Sequence, residues 1–169
     1  AQVRLARGDP GGALQALRQL PGETDARAPM MLRAQAALDA QRLKVNGAHD
    51  ELRTSTEALQ TWLANHRRDA KAWEMLASTS GAIGLQLRSL RANAEARAAD
   101  GDLNGAIDRF RAAQTAARTA SAGQDFIEAS IIDARLRDLL GQRRQLALEM
   151  RGNRGGRGGP EGDGAPQPQ

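Results

Sequence analysis

Two separated stretches of the chain carry the same unusual pattern: Gly8-Asp9-Pro10-Gly11-Gly12-Ala13-Leu14-Gln15-Ala16-Leu17 and Gly101-Asp102-Leu103-Asn104-Gly105-Ala106-Ile107-Asp108-Arg109-Phe110. The shared form is Gly-Asp-x-x-Gly-Ala-(Leu/Ile)-x-x-(Leu/Phe), and it constrains the fold more than any other feature. A glycine can take the left-handed conformation that ends one helix, and the aspartate after it can cap the free amides that open the next. Pro10 fits the first helical position, where its missing N–H costs nothing. Ala13 and Ala106 then fall where a small side chain lets two helices approach. The pattern therefore predicts a tight helix–turn–helix, used at least twice.

The rest of the chain reads in the same way. Trp73, Leu76, Ala77 and Ile83 recur at helical spacing over 70–83, with Asp69 as N-cap and Gly84 as the following turn. Leu87, Leu90, Ala94 and Ala98 mark a helix ending at Gly101, and another runs from Leu103 to about Ala120, broken by Gly123. Asp125 is placed to cap a long last helix, whose stripe of Ile127, Ile131, Ile132, Leu136, Leu139, Leu140 and Leu146 extends to about Arg151. Upstream, helices are predicted from Pro10 to Leu20, from about Ala28 to Leu43 with Pro29 in the first turn, and from Ala48 to about His66 with Leu52, Leu59, Trp62 and Leu63 facing inward. Pro21 to Thr24 forms a loop, and Asn46-Gly47 a turn. About seven helices result, in an all-α domain spanning 1–151. The segment 152–169, rich in Gly, Pro and Arg with almost nothing apolar to bury, is expected to be disordered. The chain opens at Ala1 inside the end of a helix, as a piece of a longer protein would.

Composition supports an all-α fold, because the 40% of hydrophobic residues are mainly Ala and Leu while aromatics contribute only 2%. Cysteine is absent, so neither disulfides nor thiolate-bound metal can hold the fold. No apolar run approaches the roughly 20 residues needed to cross a bilayer. The net charge of +4 comes almost entirely from arginine, Lys44 and Lys71 being the only lysines. Basicity raises the possibility of nucleic-acid binding, yet acidic residues are interspersed along the helices. Trp62, Trp73, Phe110 and Phe126 are the only aromatics, too few for a base-stacking platform. Two Arg-Gly-Gly units, at Arg154 and Arg157, resemble RNA-binding segments, but Glu161 and Asp163 dilute them. Nucleic acid ranks last among the partners.

Catalysis finds no footing in this segment. His49 and His66 are the only histidines, against about three ligands for a catalytic zinc. Ser55, Ser78, Ser80 and Ser89 lack a recognisable activating base. No catalytic residue, metal site or cofactor is assigned.

The helix pairs resemble the tetratricopeptide repeat, a helical hairpin of about 34 residues. Trp73, Leu76, Ala77, Gly84, Ser89 and Ala96 match one repeat in order, and Leu90, Ala94, Gly101, Ala106, Phe110 and Ala113 match another. The helix from Leu87 to Asp100 would thus be second in one pair and first in the next, in a stacked solenoid. A narrower likeness is carried by Glu57 to Ala64, Asp69 to Ala77, Leu90 to Arg97, Gly101 to Asp108 and Phe126 to Arg137, which look like the C-terminal repeat domain of BepA-type zinc metallopeptidases of the Gram-negative envelope. That resemblance implies periplasmic location. It also implies an upstream catalytic domain with a zinc-binding His-Glu-x-x-His motif, and a repeat domain that engages its own catalytic domain, outer-membrane protein clients and their assembly machinery. This sequence holds no His-Glu-x-x-His, so no zinc ligand carries over. A free-standing repeat adaptor with no protease attached is the alternative.

In the repeat template Trp73 is an interhelix packing residue, and both tryptophans read as core. With Trp73 setting the register, the inner polar face comprises Lys71, Glu74, Ser78 and Ala82, joined by Arg88, Arg91 and Glu95 of the next helix. Their mixed charge suits an extended, partly polar peptide, with an ordinary solvated face as the competing interpretation.

Overall fold

The computed structural model describes residues 1–19, 26–119 and 126–155. Among these residues eight helices follow in order: α1 (Gln2–Ala6), α2 (Pro10–Arg18), α3 (Arg27–Arg42), α4 (Ala48–Asn65), α5 (Ala70–Ala82), α6 (Gln86–Ala99), α7 (Leu103–Thr119) and α8 (Phe126–Gly155). The chain is all-α, with no strand among the described residues. The count exceeds the expected seven because the helix end at the start of the chain forms α1. At the other end α8 reaches Gly155, past the Arg151 at which its apolar periodicity stops. The expected loop at Pro21 to Thr24, the break at Gly123, the cap at Asp125 and the remainder of the tail from residue 156 lie outside the described residues.

The repeated motif behaves mechanically as its residues dictate. Gly8 and Gly101 take φ of +72° and +83°. The residue after each returns its amide to the preceding helix, Asp9 N to Arg4 O at 2.9 Å and Asp102 N to Arg97 O at 3.0 Å, which satisfies carbonyls left over at the helix end. Asp9 and Asp102 then cap the next helix, each Oδ1 accepting at 2.8 Å from the amide of Gly12 or Gly105. The second glycine of the motif, to which the sequence alone assigned no role, has one here: a Cβ at Gly12 or Gly105 would run into the capping carboxylate. Ala13 and Ala106 are fully buried at the helix–helix contact. The end of α3 closes in the same way, Val45 N to Ala40 O at 2.9 Å, but its left-handed position is held by Lys44 at φ +54°.

Connections this short make sequential helices antiparallel neighbours, each packed on the next wherever the link is described. Three apolar clusters result. Leu14 and Leu17 of α2 pack with Leu38 of α3 and Leu52 of α4; Met30, Leu59, Leu63, Trp73 and Leu76 join α3, α4 and α5, with Ala92 and Ala96 of α6 beneath them; Leu87, Ile107, Phe110, Ile132, Leu136 and Leu139 join α6, α7 and α8. Beyond neighbours, α3 packs on α5 and α6 packs on α8, whereas α5 and α7 make at most marginal contact. Helices α3 to α8 therefore form two triplets, α3–α4–α5 and α6–α7–α8, sharing the α5–α6 contact, with α1 and α2 packed on through α3.

Candidate functional site

Residue Asp69 organises the region next to the site. It caps α5 by accepting from Ala72 N at 3.1 Å, accepts from the Trp62 indole Nε1 at 3.0 Å, and receives both Arg27 Nε at 2.6 Å and Nη2 at 2.9 Å. One carboxylate thereby fastens α3, α4 and α5 together. The hydrogen bond from Arg27 is the main cause of its depressed pKa, about 2, with the Ala72 amide and the Trp62 indole adding to it against the opposing effect of burial. The second indole is fixed from the same loop, Trp73 Nε1 donating to Arg67 O at 3.0 Å.

With Trp73 held there, a cleft of about 460 Å³ opens between α4, α5, α6 and the first turns of α8. Its apolar walls are Leu63, Trp73 and Leu76 on one side and Ile127 and Ile131 on the other. Around them stand Arg67, Arg88, Arg91 and Arg135, with Glu95 and Glu128. The α8 wall is unusual, because Ile127 is 71% exposed and Ile131 39% although both belong to the stripe expected to be buried. Ile132, Leu136 and Leu139 sit one helical position round from Ile131 and take the core-facing side. A helix cannot turn both rows toward α7, and the Ile127–Ile131 row is left facing the cleft.

What holds the first turns of α8 across the cleft is charge. Glu128 accepts from Arg88 Nε at 2.8 Å and from Arg91 Nε at 2.6 Å, and two turns later Arg135 donates to both oxygens of Glu95, at 2.9 and 3.1 Å. Arg88 to Glu128 and Glu95 to Arg135 span the same offset of 40 residues, so α6 and α8 run parallel and in fixed register. Burial alone would raise the Glu128 pKa; hydrogen bonds and charge from Arg91 and then Arg88 outweigh it, and the net shift is downward. Arg91 also lies over the Trp73 ring, 5.8 Å from its centre.

Of the six polar residues assigned to the inner face, Arg88, Arg91 and Glu95 meet in this cleft. Lys71, Glu74 and Ser78 line up on the exposed side of α5, where Lys71 pairs with Glu74 at 2.8 Å and Ser78 donates to the Glu74 carbonyl at 3.1 Å. Glu74 holds the Lys71 ammonium above its usual range. Sequence reasoning missed Arg67, Ile127, Glu128, Ile131 and Arg135. A signal for some of them exists: Arg88 and Glu95 are seven residues apart on α6, and Glu128 and Arg135 repeat that spacing with the signs reversed on α8.

Trp73 is buried as expected, although its edge also forms a cleft wall, while Trp62 is half-buried and stacks on His66 with ring centres 3.6 Å apart. His49 and His66 lie at opposite ends of α4, about 25 Å apart at the helical rise per residue. They cannot share a metal ion, and no group of three or more His, Cys, Asp or Glu side chains is placed to hold one among the described residues. These residues do not fit the zinc that the envelope-protease resemblance implies for a separate domain, and no chemistry is routed through it. No described helix is long and apolar enough to cross a membrane. The class these features define is an all-α array of helical hairpins with an open, apolar-walled and arginine-rimmed cleft. No protein-family model matches the chain, and no curated protein matches it either.

Proposed function

We propose that this chain is a polypeptide-binding module of the tetratricopeptide kind, the interaction domain of a periplasmic zinc metalloprotease of the BepA type that acts in outer-membrane protein quality control. The observation that carries the binding role is the cleft itself. Ile127 and Ile131 stand uncovered opposite Leu63 and Leu76, in a cavity of about 460 Å³ whose rim is charged, the mixture of apolar wall and few polar groups that fits a bound chain. The attachment to a protease rests on the sequence likeness, above all on the closing helix from Phe126 to Arg137. The clients are outer-membrane proteins or their assembly machinery, and the chemistry belongs to the separate catalytic domain.

The binding role is tested by titrating the purified chain with a urea-unfolded outer-membrane porin and following tryptophan fluorescence. Ile127→Glu, at a position 71% exposed, leaves the helical circular dichroism unchanged and weakens binding by roughly tenfold or more, a change of ~1.4 kcal/mol. Binding that ignores this substitution, or no binding, overturns the assignment of the cleft. The protease attachment is tested by reading the coding sequence upstream of Ala1: a signal peptide and His-Glu-x-x-His support it, and an initiation codon directly before Ala1 makes the chain a free-standing adaptor.

A further inference from the structure

The charges around the cleft do not balance. Among the described residues that line it, Arg67, Arg88, Arg91 and Arg135 have only Glu95 and Glu128 as counter-charges. Arg135 is matched by Glu95, and Glu128 is divided between Arg88 and Arg91. Arg91 is spent: its side chain is only 12% exposed, pressed against Trp73 and bonded to Glu128. Arg88 keeps 28% of its side chain exposed, with the Gln60 side-chain oxygen of α4 accepting from its Nη1 at 2.7 Å. Arg67 makes no ion pair with any described residue, while its backbone carbonyl is fixed by Trp73. Arg67, an exposed residue of the α4–α5 loop, and Arg88 of α6 therefore both line the cleft beside its uncovered apolar wall.

We infer that the cleft takes an acidic polypeptide segment, one that sets a large aliphatic side chain between Leu63 and Ile127 and places a neighbouring carboxylate on Arg67 and Arg88. This rests on the cleft being a polypeptide-binding site, as proposed above, and adds the chemistry of the occupant. Two observations favour it. The first is charge complementarity: an apolar-walled concavity with excess cations focuses its field on an incoming anion, and a basic segment would meet like charge with no free carboxylate among the described lining residues to receive it. The second is the molecule's own choice of counter-ion, for the one group that α8 inserts between Arg88 and Arg91 is the carboxylate of Glu128, carried between Ile127 and Ile131. The segment Ile127-Glu128-x-x-Ile131 shows that an acidic residue with aliphatic neighbours is compatible with this wall. A nucleic acid would satisfy the guanidinium groups and leave the apolar wall bare.

The test uses the full chain and three capped twelve-residue peptides: two leucines spaced four residues apart among glutamates, the same with lysines for the glutamates, and the same with alanines for the leucines. Tryptophan fluorescence reports binding, because Trp73 lines the cleft. The acidic leucine peptide is expected to bind roughly tenfold or more tightly than either counterpart, and to weaken as salt rises from 50 to 300 mM. Arg67→Ala, which removes no described ion pair and keeps the carbonyl that holds Trp73, lowers its affinity about three- to tenfold. Ile127→Glu abolishes it. Equal affinity for the lysine peptide, indifference to Arg67→Ala, full competition by a single-stranded oligonucleotide, or no binding of the acidic peptide each overturns the inference. Binding of the lysine peptide that is still lost in Ile127→Glu refutes the acidic preference alone and leaves the polypeptide cleft standing.

Discussion

Replacing Asp69 by Asn removes one negative charge from the point where α3, α4 and α5 meet and keeps the side chain's size and its capping oxygen. Asparagine caps a helix about as well as aspartate, so the bond to Ala72 N survives on Oδ1, while the amide nitrogen in place of Oδ2 can no longer accept from Arg27 Nε or from the Trp62 indole. The Asp69 carboxyl sits at about 2 against an ordinary 3.8. At ~1.4 kcal/mol for each tenfold change in proton affinity, that separation corresponds to roughly 2.5 kcal/mol. Arg27 is 48% exposed, and solvent screening lowers the figure to about 1–2 kcal/mol. Because the folded pKa lies below the unfolded one, this stabilisation is complete above pH ~4 and is lost as the pH falls from there toward 2. Urea denaturation of the parent and Asp69→Asn chains at pH 7, 5, 4, 3 and 2 measures it. The difference in unfolding free energy should stay near 1–2 kcal/mol at pH 7 and 5 and shrink toward zero by pH 2. A difference that is independent of pH would refute the reasoning, since it would place the loss in packing and not in the ion pair.

Two further outcomes follow from the turns. Lys44 occupies a left-handed position that Gly8 and Gly101 fill elsewhere, and its side chain is exposed; Lys44→Gly should stabilise the chain by about 0.5–1 kcal/mol in urea denaturation. At the second motif, Gly105→Ala should be neutral or harmful in the parent chain, because the new Cβ displaces the Asp102 cap, yet stabilise by about 0.5–1 kcal/mol in an Asp102→Ala background, where only helix propensity remains; a double-mutant cycle with no coupling contradicts the motif's mechanics.

The limits of what the sequence reveals follow from the range of each interaction. Helix ends at Gly8, Gly84 and Gly101 and caps at Asp9, Asp69 and Asp102 are legible because a turn is decided by residues a few positions apart. The buried faces of α2, α4 and α7 are legible because a single apolar row marks them. On α8 two adjacent apolar rows compete, and only the partner helix decides that Ile132 and Leu136 go inward while Ile127 and Ile131 do not. In the α3–α4 link Asn46-Gly47 is legible as a turn and Gly47 takes φ +77°, but nothing local marks Lys44 as the left-handed residue that closes α3. The half of the site on α6 was reachable from the repeat register, whereas Glu128 and Arg135 enter through a parallel pairing of α6 with α8 across 40 residues. The repeat template pointed instead to the outer side of α5, where Lys71, Glu74 and Ser78 bond among themselves.

A polypeptide seated in the cleft between α4, α5, α6 and α8 would slow hydrogen exchange of the amides that line it. Amide exchange of the full chain is compared by mass spectrometry with and without saturating unfolded outer-membrane porin. Slowed exchange is expected over residues 60–76, 86–95 and 126–135, with α1, α2 and the α3–α4 turn unchanged. Protection confined to the exposed side of α5, to α1 and α2, or found nowhere in the chain would contradict binding in the cleft.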